Sequence, residues 1–472
     1  VTGRTRSTDL LIIGCGPAGM RAAVTASACG LATLVIDEGA APGGQLLRGA
    51  ADGPLAAHPA FGREYSRGVA LVDAFRRSSA QLRSAATVFM IEPEGSGGFA
   101  AGIAEQDGSA EIVEARGVII ATGAHERPVP IPGWTLPGVM TAGAAQTMLK
   151  SSAVVPQAPL VLAGSGPLLL LLAAQYARLG VGVDAILDTT PAGNLKTALP
   201  SVPAFLASGY MWKGLRLLAA ARRSTRIVRG VSGLEAIGRD RLEGVAYVAA
   251  GRRRERAASA LLLHVGVVPQ VNLAMASGVQ HAWNAGRSAF EPICDARGES
   301  SVPGLFVAGD AAGVFGADAA EAAGEVAALA AAARQRQGDR AALAGRLGAA
   351  EARLRRLRRG RSFIDALYRP AQTFLTPADD VTVCRCEAVS AGRIRESVRL
   401  GARGPNQCKA FTRAGMGPCQ ARMCGLTINA IIAAETAASP ESVGYMRLRA
   451  PVKPITVAQM AALAPPDEAP TG

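Results

Sequence analysis

Four cysteines near the C-terminal end, in Cys384-Arg385-Cys386 and Cys419-Gln420-Ala421-Arg422-Met423-Cys424, are the residues of this 472-residue chain whose type and spacing most directly imply chemistry. Four thiolates suit either a tetrahedral zinc ion or an iron–sulfur cluster. Structural zinc favours Cys-x2-4-Cys knuckles at both ends, and a Cys-x-Cys pair followed after 32 residues by Cys-x4-Cys fits that pattern poorly. The run Thr412-Arg413-Ala414-Gly415-Met416-Gly417-Pro418 places glycines where the backbone must bend to bring the second pair against the first. Cys384, Cys386, Cys419 and Cys424 are therefore the candidate metal ligands, and the chemistry is single-electron transfer.

A second constellation lies at the other end. Leu10-Leu11-Ile12-Ile13 reads as a strand, and Gly14-Cys15-Gly16-Pro17-Ala18-Gly19 as the turn into a small-residue helix ending near Gly30. Thr33-Leu34-Val35-Ile36 reads as a second strand, closed by Asp37-Glu38. This is the order of a dinucleotide-binding βαβ unit. Its glycines permit a tight turn and let a pyrophosphate approach the helix N-terminus, and an acid at the end of the second strand bonds ribose hydroxyls. Asp37 is in the better register for the ribose, with Glu38 as the alternative. The motif alone does not choose between FAD and NAD.

The pattern recurs at Leu160-Val161-Leu162-Ala163, Gly164-Ser165-Gly166-Pro167-Leu168-Leu169 and a helix over Leu170 to Leu179. Leu169 stands where the third glycine normally lets helix and strand pack closely. Gly164, Gly166 and Asp188 thus outline a second nucleotide site, and a working NAD(P) site and an altered one holding ATP or another nucleotide are both open.

The elements needed to hold these sites divide the chain. Residues 1–135 and 270–335 are expected to form a discontinuous FAD-binding domain around an NAD(P)-type domain at 136–269. A basic helical linker (336–375), a cluster domain (376–440) and an extended tail (441–472) follow. The fold class is α/β, two Rossmann-like domains plus a small α-helical C-terminal unit. A net charge of +13 concentrates in Arg353 to Arg361 and Arg252 to Arg254, but aromatics make up only 4% and no stacking platform is interleaved, so no nucleic-acid partner is expected. A solvated linker helix accounts for the first run, with a docking face for an acidic partner as the alternative. The apolar stretch around Leu168 to Ala174 is broken by Gln175 and Arg178, which reads as a buried helix rather than a transmembrane segment. The first residues lack the apolar region of a secretory signal. Thiolate cysteines imply a reducing, cytoplasmic setting, with membrane association only through partners. Cys15, Cys29, Cys294 and Cys408 have no Cys-x2-Cys or Cys-x4-Cys neighbour, so no thiol–disulfide relay is expected.

The segment from Val383 to about Ile432 resembles the [2Fe-2S] domain of bacterioferritin-associated ferredoxin, sharing Cys-x-Cys, a Val-Ser helix start, Gly401-Ala402-Arg403, Lys409, Thr412 to Gly417 and Cys-Gln-x-Arg-x-Cys. The strand at Leu305 followed by Gly309-Asp310, and the loop Pro42-Gly43-Gly44-Gln45, resemble two-dinucleotide-binding-domain flavoproteins. That resemblance implies FAD in the first site, held by Gly14, Gly16, Pro17, Ala18, Gly19, Asp37, Gly44, Gln45, Thr122, Gly123, Gly309 and Asp310. Ala121-Thr122-Gly123-Ala124-His125-Glu126-Arg127-Pro128, Ile131 to Val139 and His264 to Pro269 look like the crossover of the larger subunit of hetero-oligomeric amine and amino-acid dehydrogenases, the group of opine oxidases, hydroxyproline dehydrogenase and hydrogen cyanide synthase. His125, with no nucleophile or metal partner nearby, reads as a hydrogen-bonding or cofactor-contact residue.

The resemblance implies an electron-transfer α subunit of an enzyme acting on CH–NH bonds. Substrate oxidation would belong to a partner β subunit with its own FAD, resembling D-amino-acid or sarcosine oxidase. An FMN at the subunit interface, a small ferredoxin-like γ subunit and a quinone or ferredoxin acceptor complete what it implies. Two rival readings stay open: a self-sufficient NAD(P)H-dependent reductase, and a mainly structural nucleotide-binding subunit.

Overall fold

The computed structural model describes residues 6–56, 58–95, 97–335 and 340–463. The opening residues, the start of the linker (336–339) and the end of the tail (464–472), on which some of the expectations above fall, lie outside them.

β1 (Arg6–Ile13), α1 (Pro17–Ala28) and β2 (Thr33–Ile36) form as the motif requires. Leu10, Leu11 and Ile12 are fully buried, because a parallel strand covered on both faces must be apolar throughout. Each such side chain contributes about 2 kcal/mol by leaving water. β1 lies between β2 and the strand Ala110–Ile120, both parallel to it, and Leu305–Val307 returns from far along the chain to pair with Ala110–Ile120. The register aligns Ile13 with Ile36 and Ile120, and Ile120 with Val307. Consequently the residues after each strand, Gly14, Asp37, Ala121-Thr122-Gly123 and Gly309-Asp310, emerge at one edge of a seven-stranded sheet.

The second sheet has five parallel strands in the order Ile227–Arg229, Ala185–Asp188, Leu160–Gly164, Ala260–His264, Val139–Thr141. The helix Pro167–Arg178 follows its glycine turn and buries Leu169, Leu172, Ala173, Ala174 and Tyr176, as expected of a core helix. Among the described residues no helix is long and apolar enough to cross a membrane. The short strands Ala124–Glu126 and Val267–Pro269 pair antiparallel where the chain crosses between the two units.

The basic stretch is helical with most of its arginines exposed, but it also has a buried face that a solvated linker helix would lack. Helix Arg340–Arg358 buries Leu343, Leu347, Ala350 and Leu354, a stripe at helical spacing that joins the core of Ala317–Gln335 and α1. Arg353 pairs with Glu325 at 3.2 Å on the exposed side, where Arg355, Arg356 and Arg359 also face solvent, and the half-buried Arg358 lies 4.8 Å from the Phe315 ring centroid. The C-terminal unit packs helices Ala391–Arg399, Pro405–Thr412 and Gly425–Thr436 on the core of Val383, Ile394, Val398, Cys408, Ile428, Ile431 and Ile432. Ser390 caps the first of these by accepting from the Arg393 amide.

The tail, expected to be extended, includes two short helices among its described residues, Pro440–Val443 and Val457–Ala461, and it is tied down. Val452, 2% exposed, enters the core of the first sheet, and its amide donates to the Phe89 carbonyl at 2.9 Å. Gln459 Nε2 then donates to the Glu105 carbonyl at 2.9 Å.

Candidate functional site

A cavity of about 460 Å³ opens at the sheet edge described above. Gly14, Gly16, Pro17, Ala18, Asp37, Glu38, Gly44, Gln45, Thr122, Gly123 and Asp310 all line it. Gly19 and Gly309 do not. They act one layer deeper, where a Cβ on Gly19 would lie 1.8 Å from the Gly14 carbonyl oxygen and one on Gly309 would lie 2.6 Å from the Ala18 Cβ. Gly14 itself has φ +102° and would place a Cβ 2.4 Å from the Ala121 oxygen. The backbones of Gly16 and Gly44 also approach closely, since a Cβ on Gly44 would lie 2.9 Å from the Gly16 Cα.

The cavity fits a dinucleotide. α1 starts at Gly16 with Pro17 next and no side-chain cap, so its first amides are left for an anion at the positive end of the helix dipole. Asp37 is more engaged than a simple ribose ligand, because its carboxylate already accepts from the amides of Cys15 at 2.5 Å and Gly39 at 2.6 Å. Each oxygen retains a lone pair for a ribose hydroxyl. Glu38 instead pairs with Lys453. Asp310 accepts from the Phe315 amide at 3.2 Å, and burial raises its pKa.

Three further residues of the cavity wall are supplied by the C-terminal unit: Arg422, Val452 and Lys453. Arg422 belongs to the loop between Cys419 and Cys424. Its guanidinium donates to the Cys419 and Val452 carbonyls, each at 3.1 Å, and its own carbonyl lies 3.0 Å from His125 Nε2. Asn272, also on the wall, donates to the Gln420 carbonyl at 2.7 Å. Sequence reasoning missed these contacts, although Arg422 was visible within the cysteine motif.

Burial of the His125 ring, more than any neighbour, lowers its pKa from an ordinary 6.5 to about 4. A neutral ring can donate Nε2–H to Arg422, with Nδ1 buried and unpartnered. Its contribution is complete above pH 6.5 and is lost as pH falls towards 4, because the unfolded chain binds the proton first. Limited proteolysis of the 419–424 loop is therefore expected to accelerate across that interval, and His125→Gln, which keeps a donor, is expected to flatten the dependence.

The four candidate ligands meet. The Cys384 thiol contacts Cys424, and Cys419 contacts both Cys424 and Cys386. These contacts with Cys424 are the main reason the pKa of Cys384 falls to about 6 and that of Cys419 to about 5. Cys384 and Cys424 are each 1% exposed, whereas Cys386 is exposed. Gly417 leaves the room required, since a Cβ there would lie 2.2 Å from the Cys386 Cβ. Four sulfur donors in one connected set suit a [2Fe-2S] cluster.

The second unit forms its own cavity, of about 500 Å³, with Gly164, Gly166 and Asp188 on the wall. Leu169 lines it as well, together with Leu170, Phe205, Tyr210 and Leu218, an apolar surround. Asp188 accepts from the Thr190 amide at 3.0 Å, and Asp184 from the Leu160 amide at 2.7 Å. Behind the turn, His264 Nδ1 lies 2.6 Å from Glu126 Oε1, and Glu126 Oε2 accepts from the Gly143 amide at 2.7 Å. Glu126→Ala leaves a buried histidine and an amide without their acceptor, and a loss of about 3 kcal/mol is expected, read as a lower Tm.

Residues 8–336 match the family described as pyridine nucleotide-disulphide oxidoreductase, and residues 382–434 the BFD-like [2Fe-2S] binding domain. The chain is 44% identical over 461 residues to one of the subunits of opine oxidase from Agrobacterium tumefaciens (strain Ach5), covering 96% of this chain and 92% of that protein. It is 31% identical to the HcnB subunit of hydrogen cyanide synthase from Pseudomonas aeruginosa, over 94% of this chain and 96% of the other. Among solved structures, L-proline dehydrogenase from P. horikoshii superposes with a TM-score of 0.73 at 18% identity, over 98% of this chain and 81% of the other, a likeness of fold.

Proposed function

This chain belongs to the pyridine nucleotide-disulphide oxidoreductase family, carries an FAD site and a BFD-like [2Fe-2S] domain, and on that premise we propose that it is the electron-transfer α subunit of a multi-subunit dehydrogenase for an opine, hydroxyproline or related amino acid. When bound, FAD exchanges an electron pair and the cluster single electrons, so the two together convert one kind of traffic into the other.

The observation that carries this reading is the shared wall between the two sites. The loop bearing Cys419 and Cys424 places Arg422 in the lining of the cavity for FAD, while His125 and Asn272 hold its backbone from the flavin side. The wall requires no domain rearrangement to bring the sites together. Gly14, Gly16 and the amides of α1 would receive the pyrophosphate, Asp37 the ribose, and Asp310 the ribityl side. Cys384, Cys386, Cys419 and Cys424 would hold the cluster. Substrate oxidation is assigned to a partner β subunit. That the opine oxidase relative, alike across nearly the whole chain, is itself named as one subunit of its enzyme supports this division of labour.

The cavity around Gly164 and Gly166 favours one rival, an NAD(P)H-driven reductase. An anaerobic spectral titration separates the two. Flavin bleaching by opines or hydroxyproline only when a co-purified flavoprotein subunit is present supports the relay. Prompt bleaching of the isolated chain by NADH would overturn it.

A further inference from the structure

From Thr189 to Leu234 the chain runs for 46 residues without a single aspartate or glutamate, and carries seven lysines and arginines. The stretch includes three α-helices, Asn194–Ala198, Val202–Leu206 and Tyr210–Ser224, which between them bury only Ala198 and Ala221. Leu195, Leu199, Leu206, Trp212 and Leu215 all stand exposed, five of the fifteen large apolar side chains that do so among the described residues. Trp212 is 62% and Leu206 54% exposed. Single apolar residues scattered over a surface need no explanation, but five within 21 residues mark a face that another molecule covers.

The inner side of the same segment is fixed. The Phe205 ring stacks on Phe363 with centroids 4.2 Å apart, the Tyr210 hydroxyl donates to the Phe315 carbonyl at 2.6 Å, and Asn194 Nδ2 donates to the Leu367 and Arg369 carbonyls at 3.0 and 2.9 Å. The outer face is therefore pre-formed, and docking onto it costs little further ordering. On the helix Tyr210–Ser224, Trp212, Leu215 and Ala219 share the exposed side at helical spacing, and Arg216, Arg222 and Arg223 fall on that same side. A bilayer would have to draw those guanidiniums in with Trp212, whereas a helix lying in lipid keeps its cations on the opposite face. A second copy of this chain would set cation against cation across a twofold axis. Apolar side chains flanked by arginine, with no acid among them, instead fit a protein face that presents carboxylates around an apolar centre.

We propose that this face is the docking surface for the second, substrate-oxidising subunit of the same enzyme, met by an acidic surface of that subunit with an apolar centre. Trp212 and Leu206 enter the apolar centre, and Arg216, Arg222 and Arg223 meet the carboxylates around it. The proposal rests on the reading of this chain as one subunit of several, and wild type tests that reading before any variant does.

The test uses the full chain, loaded with FAD and iron, and the flavoprotein subunit that co-purifies with it, separated in high salt and recombined. Trp212→Asp and Leu206→Asp are each expected to raise the Kd about a hundredfold, while FAD content, iron content and Tm stay at wild-type values because both side chains face outward. The double variant Arg222→Glu, Arg223→Glu is expected to slow association about tenfold at low salt, a difference that high salt removes. Leu400→Asp changes a leucine of the cluster domain that is 64% exposed, and should bind as wild type does. Unchanged affinity in both Trp212→Asp and Leu206→Asp, or equal weakening by Leu400→Asp, would overturn the proposal and leave the multi-subunit reading standing. Flotation of the isolated wild-type chain with phosphatidylglycerol vesicles, lost in Trp212→Asp, would overturn it in favour of a lipid surface. A wild-type chain that no second subunit accompanies would mean that the multi-subunit reading itself has failed, and the proposal with it.

Discussion

Cys424→Ser is expected to empty the cluster site, with iron and acid-labile sulfide falling by more than about a hundredfold relative to wild type. Loss of an outer-shell partner alone weakens metal binding roughly 10- to 100-fold, and a ligand contributes more. Cys424 touches Cys384 and Cys419, is 1% exposed, and immediately precedes the helix Gly425–Thr436, so no water or neighbouring side chain can take its place. The unit is also small, with a single core, and domains of that size commonly draw stability from the metal they hold. The 419–424 loop should then loosen from His125 and Asn272. The flavin content should survive largely intact, because most of the FAD cavity is built on the first sheet. Full iron in this variant would contradict the ligand assignment, and parallel loss of flavin would mean that Arg422, Val452 and Lys453 hold FAD more strongly than the sheet does.

Gly19→Val is expected to cost the other cofactor. The added Cβ would lie 1.8 Å from the Gly14 oxygen, backbone against backbone, where no flexible side chain can yield. α1 must move away from β1, taking with it the uncapped amides that face the cavity and the contact between Gly324 and Ala18, where a Cβ already has no room. Overpacking of this kind costs about 3 kcal/mol, roughly a hundredfold in FAD affinity if the shift falls on the bound state. Flavin-to-protein ratio and Tm should both fall. Gly182→Ala, with no atom within 4 Å of the new Cβ, is the matched control and should leave both unchanged. Retention of stoichiometric FAD by the valine variant would show that the turn is not what holds the cofactor.

Much of the site was legible in advance because its parts are local. A tight turn between a strand and a helix needs glycine at particular offsets whatever surrounds it, so Gly14, Gly16 and Gly19 announce the turn within six residues. Gly164 and Gly166 do the same for the second unit, and two short-range cysteine pairs do so for the cluster. The helix starting at Pro17 and the strand Thr33–Ile36 follow from the same local requirements. Less legible was the basic linker. Its arginines pointed to solvent, while Leu343, Leu347, Ala350 and Leu354 between them carried the weaker signal of a packed stripe.

The sequence by itself determined the reading of FAD and a [2Fe-2S] cluster and where the glycine turns and candidate ligands lie, because those demands are met by residues close together along the backbone. Only the tertiary structure decided how the two sites meet. Lys453 pairs with Glu38 across 415 residues, and His125 with Arg422 across 297, and neither choice is written in the periodicity of either segment. Those partners are selected by the register that brings Gly14, Thr122 and Asp310 to one sheet edge and by the packing that seats the cluster loop upon it. Arg127 shows the same division: an ordinary charged residue just after the crossover strand Ala124–Glu126 until the fold buries it and gives its guanidinium the carbonyls of Arg287 and Ser288 in place of water.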